Sequence, residues 1–270
     1  MKELATRALT GAVYVALVLG AAWLGPRTTA MLFLPVALIA AREWHLLYWK
    51  GSDDAPPIAY SIVLSAVVYV AACIETVLRV TDGSITLSVI ACVLLVLTFL
   101  LLRSGSADPG KVFTGHLGTI IYATLPMAVA AALVQVDHRL FIGFMVLLWT
   151  NDTGAYLVGK LIGRNKLMPS VSPGKTWEGF VGGFGLTLLV GWAISANTDV
   201  LTLRFWLVTA GAVAICATIG DLLESALKRA AGVKDSGTLL PGHGGILDRF
   251  DGYLLAAPVM LLMVAMAMQG

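Results

Sequence analysis

Ser84-Ile-Thr-Leu-Ser-Val-Ile-Ala-Cys-Val-Leu-Leu-Val-Leu-Thr-Phe-Leu-Leu-Leu102 carries no charged side chain from end to end. A helix needs about 20 mostly apolar residues to cross a hydrocarbon core of about 30 Å, and this run meets that requirement. Lipid offers no partners to backbone N–H and C=O groups, so a chain crossing it closes its hydrogen bonds internally, as a helix does. Working outward, similar runs at 6–24, 28–49, 58–79, 116–136, 139–163, 177–196, 203–229 and 251–269 bring the expected total to about nine. The composition agrees: 58% of the 270 residues are hydrophobic and 13% charged, against about one quarter charged in ordinary globular proteins. The expected fold class is therefore all-α, a polytopic integral membrane protein.

The net charge of +2 says little, but the placement of the basic residues orients the chain. Lys and Arg accumulate on the cytoplasmic side of membrane proteins. With a cytoplasmic N-terminus, only Arg27, Arg79, Arg139 and Arg204 of the 18 basic residues fall on the far side. With nine spans, the C-terminus then falls opposite. Lys2 and Arg7 give the first run the basic flank of a secretory signal. No small-residue cleavage site follows it before the second run, so it is expected to remain as the first helix. Cys73, Cys92 and Cys216 sit in separate apolar runs without ligand spacing, which predicts neither disulfides nor zinc.

Residues 1–140 are apolar runs joined by short turns such as 51–57 and 104–110, and they are expected to form scaffold helices. Residues 141–270 differ. Two loops there, at about 160–176 and 230–250, are longer and rich in Gly, Pro, Lys, Asp and His, and they mark the catalytic part of what is expected to be one compact membrane domain. Gly179, Gly182, Gly183 and Gly185, with Gly159 and Gly163, are expected to serve close helix packing.

Three features could carry chemistry. The first is Gly220-Asp221-Leu-Leu-Glu224-Ser225-Ala-Leu-Lys228-Arg229, where about 100° per residue puts Asp221, Glu224, Ser225 and Lys228 on one arc. An acid in a span is a functional candidate by default, and the alternative is an ion pair of Asp221 or Glu224 with Lys228. The second runs Lys234-Asp235-Ser-Gly-Thr-Leu-Leu-Pro-Gly-His243-Gly244-Gly245-Ile-Leu-Asp248-Arg249-Phe-Asp251, in which glycines around a histidine offer unhindered N–H groups to an anion. Asp248 and Asp251 also suit the N-terminus of a helix through its dipole. The third joins Asp152, in a helix, to Ser172-Pro-Gly-Lys175-Thr-Trp-Glu178. Its Gly-Lys-Thr is not a nucleotide P-loop, since Pro169 stands where the first glycine belongs and no strand is expected before it. Aspartates from different helix ends beside lysines and arginines suit a phosphate-bearing substrate with Mg2+, which is held by one or two carboxylates plus substrate phosphates. Arg42 and Glu43 are expected to snorkel or pair at the interface, Glu75 is a further polar residue at depth, and His116 and His138 read as loop residues.

The stretch from Ser225 to Asp251 resembles the signature of the phosphatidate cytidylyltransferases, or CDP-diacylglycerol synthases. It does so at Ser225, Lys228, Arg229, Lys234, Asp235, His243, Gly244, Gly245, Asp248, Arg249 and Asp251. The segment from Asp152 to Glu178 is also similar, so the resemblance covers about the last 130 residues closely and the rest by hydropathy. It implies a reaction of CTP with phosphatidate giving CDP-diacylglycerol and pyrophosphate, within phospholipid biosynthesis. The implied enzyme is a magnesium-dependent homodimer of the bacterial inner membrane, with Asp221 and Asp248 at the metal.

On that implication, Lys175, Lys228, Arg229 and Arg249 would meet phosphates of CTP or lipid. Lys234, Asp235, His243, Gly244 and Gly245 would shape the nucleotide loop, while Asp152, Ser225 and Asp251 would orient ligands or support the metal. The site would face the cytoplasm, with CTP arriving from water and the lipid from the bilayer. No nucleic-acid partner is expected. The rival readings are a CTP-dependent enzyme acting on another lipid and a secondary transporter. The latter would call for an inverted repeat, and none is visible here.

Overall fold

The computed structural model describes residues 2–78, 83–104, 108–237 and 244–269. Among these, nine long helices follow the apolar runs: α1 (Lys2–Leu24), α2 (Pro26–Tyr48), α3 (Ile58–Leu78), α4 (Ser84–Ser104), α5 (Pro109–Val136), α6 (His138–Ile162), α7 (Trp177–Asn197), α8 (Leu203–Ala230) and α9 (Leu247–Gln269). Seven of them, α2, α3 and α5 to α9, are long and apolar enough to cross a bilayer; the apolar stretches described in α1 and α4 are Gly11–Leu24 and Ser84–Leu100. The protein is thus an all-α polytopic membrane protein. Its surface bears this out, because Met31, Leu95, Leu189 and Leu262 all point outward, and apolar surface on that scale is a liability in water but is ordinary solvation in lipid.

The chain divides into two units, one made of residues 1–135 with 235–249, the other of 136–234 with 250–270. In the first, α2 packs on α1, α3 and α5, and α3 packs on α4. Its core is small-residue and aromatic, with Phe33, Ala37, Ala40, Val68 and Tyr69 buried. Polar side chains inside it are matched to one another. His45 Nδ1 lies 2.8 Å from Ser61 Oγ, Thr124 donates to Ser65 at 2.9 Å, and Ser65 donates to the Ala37 carbonyl at 3.3 Å. Such bonds hold spans together where lipid supplies no hydrophobic drive between helices.

Helix α5 begins seven residues ahead of the expected 116. Asp108 caps it by accepting from the Lys111 N–H at 2.9 Å, and Pro109 takes the first turn, where its missing N–H costs nothing. His116 is therefore a buried helical residue and not a loop residue, and His138 opens α6. Thr119–Thr124 forms a π-turn within α5. Two capping devices were not anticipated. Glu75 of α3 accepts from the N–H groups of Ile85 and Thr86 at 3.1 and 3.2 Å, closing the start of α4. Glu43, expected at the interface, is instead only 1% exposed.

In the second unit α6 packs against α7 and α8, and α7 against α8. A Cβ on Gly183 would stand 2.7 Å from the Asn151 carbonyl, and one on Gly179 would stand 2.7 Å from that of Ala155. Glycine is what lets these backbones meet. Gly185, grouped with them by sequence, faces open space and has no such role. The loop between α6 and α7 holds an antiparallel hairpin, β1 (Lys166–Met168) with β2 (Ser172–Thr176). A strand does therefore precede Pro169, contrary to expectation, but it is a short hairpin strand and not the parallel strand of a nucleotide-binding fold.

Candidate active site

A cavity of about 410 Å³ opens in the second unit, walled by α6, the hairpin, α7 and α8. Thr176 at the end of β2 caps α7 by accepting from the Gly179 N–H at 3.1 Å. Glu178 accepts from Asn165 Nδ2 at 2.7 Å and from the Arg164 N–H at 3.1 Å. These bonds tie both ends of the loop to the start of α7, so Lys175 is carried on a braced strand. Its ammonium reaches Asp221 Oδ2 of α8 at 2.5 Å. Asp152 of α6 also lines the cavity, as does Asn151, which is 2% exposed with an amide oxygen lacking any hydrogen-bond partner.

Asp251, one turn into α9, belongs to the same electrostatic neighbourhood. The charges of Asp152, Asp221 and Asp251 act on one another, and Lys175 acts on Asp152 and Asp251. Gly220 makes the approach possible, since a Cβ there would sit 2.5 Å from the Asp251 carbonyl. Three acids beside Lys175, with Lys160 also on the cavity wall, gather hard oxygen donors, which is the chemistry Mg2+ accepts. No three His, Cys, Asp or Glu side chains among the described residues converge tightly enough to hold a metal by themselves. One or two carboxylates completed by substrate phosphates would suit that spacing.

The polar arc of α8 resolves into separate pairs. Ser225 donates to Asp221 Oδ1 at 3.3 Å, while Lys228 pairs with the fully buried Glu224 at 3.0 Å. The ion pair weighed from the sequence therefore exists at Glu224, and Asp221 turns to Lys175 instead. Arg229 donates to the Val233 carbonyl at 3.2 Å, closing the end of α8, and Lys234 is exposed.

In the first unit, Asp235 and Arg249 are exposed, and Asp248 Oδ2 accepts from the N–H and Oγ of Ser236 at 2.9 and 3.0 Å and from the Gly245 N–H at 2.7 Å. A Cβ on Gly244, which adopts φ +81, would come 2.6 Å from that same oxygen. His243 lies outside the described residues. Glu43 of α2 is the partner of this loop that sequence reading missed. Its carboxylate accepts from the Ile246 N–H at 3.0 Å, the Leu247 N–H at 2.9 Å and Ser236 Oγ at 3.1 Å. The only signal in the sequence was an acid inside an apolar run.

The fold and the cavity define a helical membrane protein with two lysines, Lys160 and Lys175, and two carboxylates, Asp152 and Asp221, around one cavity, an arrangement suited to phosphorylated ligands. The model of the cytidylyltransferase family matches residues 5–267, and the chain belongs to that family. Over 129 residues, 47% of this chain, it is 44% identical to a Staphylococcus haemolyticus protein named phosphatidate cytidylyltransferase, covering 49% of that relative. A Bacillus subtilis protein of the same name is 45% identical over 123 residues, 45% of each chain. The chain spans about half the length of the curated relatives it matches.

Proposed function

We propose that the protein transfers the cytidylyl group of CTP to phosphatidate, giving CDP-diacylglycerol and pyrophosphate. The observation that carries this reading is the Lys175–Asp221 contact at 2.5 Å in a cavity that Asp152 also lines, in a chain of the cytidylyltransferase family. The relatives' names supply the lipid acceptor.

The chemistry asks little of a base. The lipid phosphate is a monoester whose second pKa is near 6, so it is already largely ionised at neutral pH. One of its oxygens bonds to the α-phosphorus of CTP while the bond from that phosphorus to the bridging oxygen breaks, and pyrophosphate departs with that oxygen. Catalysis then consists of alignment and neutralisation of charge. Lys175 supplies a braced positive charge to the phosphates. Lys228, engaged by Glu224, contributes less, and Arg229 and Arg249 serve the outer phosphates. Asp152 and Asp251 set the field around Asp221, and Ser225 orients it.

Magnesium, when bound, would neutralise phosphate charge and orient the reacting oxygens. Asp221 is the carboxylate for it in the second unit, and Asp248 is carried forward from the resemblance in the first. We place the site on the cytoplasmic face of a bacterial inner membrane and take the working form as a homodimer. The test is Mg2+-dependent release of pyrophosphate from CTP by the purified protein in detergent, with and without phosphatidate, while the lipid product is followed. CDP-diacylglycerol formed only with all three components supports the reading. Pyrophosphate release only with another lipid acceptor rejects phosphatidate as substrate.

A further inference from the structure

The geometry points to Glu43 as a positioning residue for the loop that carries Asp248, an inference that rests on the proposed cytidylyl transfer. Glu43 comes from α2, far in sequence from that loop, yet it is 1% exposed and its carboxylate faces donors there: the Ile246 N–H, the Leu247 N–H and Ser236 Oγ. A buried carboxylate is costly unless its oxygens are satisfied, and the two N–H groups give each oxygen a donor.

The loop is shaped around that charge. A Cβ on Gly245 would collide with Glu43 Oε2 and with Ser236 Oγ, and one on Gly237 would collide with Glu43 Oε1. Two glycines are thus accounted for by the side chain they pass. The link onward to Asp248 is Ser236, whose hydroxyl lies 3.1 Å from Glu43 and 3.0 Å from Asp248. Having one proton, that hydroxyl donates to one acid at a time, while the Ser236 and Gly245 N–H groups keep their hold on Asp248. Glu43 fixes the start of α9, and the start of α9 fixes where Asp248 stands.

A helix start needs only a short local cap such as Ser or Asp. A carboxylate brought from another helix, shared through one serine with an acid of the signature, sets a position more tightly than capping requires. Groups that orient a ligating acid cost about 10- to 100-fold in activity when replaced.

The experiment compares Glu43→Gln, Glu43→Asp and Ser236→Ala in the full chain in detergent. It reads kcat and KM for CTP and phosphatidate, and amide hydrogen exchange at Gly245, Ile246 and Leu247. Glutamine keeps the volume but turns an NH2 toward backbone donors. The expected result is a kcat about 10- to 100-fold lower in Glu43→Gln, with KM for phosphatidate little changed, faster exchange at Ile246 and Leu247, and partial recovery in Glu43→Asp. Wild-type kcat in Glu43→Gln would overturn the inference, as would a loss that Glu43→Asp does not relieve and that merely tracks the amount of folded protein. If the unaltered protein makes no CDP-diacylglycerol, the reaction is rejected and exchange alone decides. Faster exchange at Ile246 and Leu247 then keeps Glu43 as the brace, and unchanged exchange removes it.

Discussion

Lys175 on β2 stands 2.5 Å from Asp221 on α8, so the loop between α6 and α7 delivers a cation to an acid within a span. Removing either partner breaks the ion pair that joins the loop to α8. Asp221→Asn and Lys175→Met are each expected to lower turnover by about 100-fold or more, on the scale of losing a pre-organised group aimed at developing charge. The check is steady-state pyrophosphate release at saturating CTP together with thermal melting. Retained turnover in Asp221→Asn would take that residue out of the site.

The crossing of α6 and α7 should be intolerant of a single methyl group. Gly183→Ala places a Cβ 2.7 Å from the Asn151 carbonyl, beside Asp152, and overpacking of this kind costs about 1–3 kcal/mol. A lower apparent melting temperature in detergent and reduced activity are expected together. Gly185→Ala, facing open space, is the matched control and should leave both unchanged.

Glu75 should matter to stability and not to chemistry. It closes the start of α4 through the Ile85 and Thr86 N–H groups, and stranding such donors costs about 1–3 kcal/mol. Glu75→Ala is expected to melt earlier, while turnover per folded molecule stays at the wild-type value.

Outside the spans, Asp137 supplies a pH signature. The hydrogen bond from Arg139 holds its carboxyl below the usual carboxylate range, and Asp137 also caps α6 through the Arg139 N–H at 2.8 Å. A depressed folded pKa adds stability that is present above the unfolded value of about 3.9 and fades as pH falls through the folded one. Asp137→Asn keeps the cap and loses only the ion pair with the exposed Arg139. Asp137→Ala should cost more, about 0.5–2 kcal/mol for the cap. Melting curves should separate the variants near neutral pH, and the Asn variant should approach wild type in strong acid.

The helices were legible because each apolar run is its own evidence: the expected 58–79 and 203–229 appear as Ile58–Leu78 and Leu203–Ala230. Where the reading slipped, polarity hid structure. The opening of α5 is Pro-Gly-Lys-Val-Phe-Thr-Gly, which looks like a turn until Asp108 is seen capping it. The hairpin strands are three and five residues long, too short for alternation to show. Lys175, Asp152 and Asp221 could each be singled out as unusual residues, but nothing in their spacing said that Lys175 would choose Asp221 over Asp152. Glu43 was unreadable for a plainer reason: two of its donors are backbone groups 203 and 204 positions away, and backbone leaves no mark in a sequence.

That separation has a consequence for biogenesis. Glu43 emerges from the ribosome with α2, long before Ser236, Ile246 and Leu247 exist to meet it. Through most of synthesis the nascent chain therefore carries an acid near the end of a span without the donors that later enclose it. Water at the bilayer surface has to solvate that acid in the interval. A chain cut short before Ser236 would lack all three of these donors.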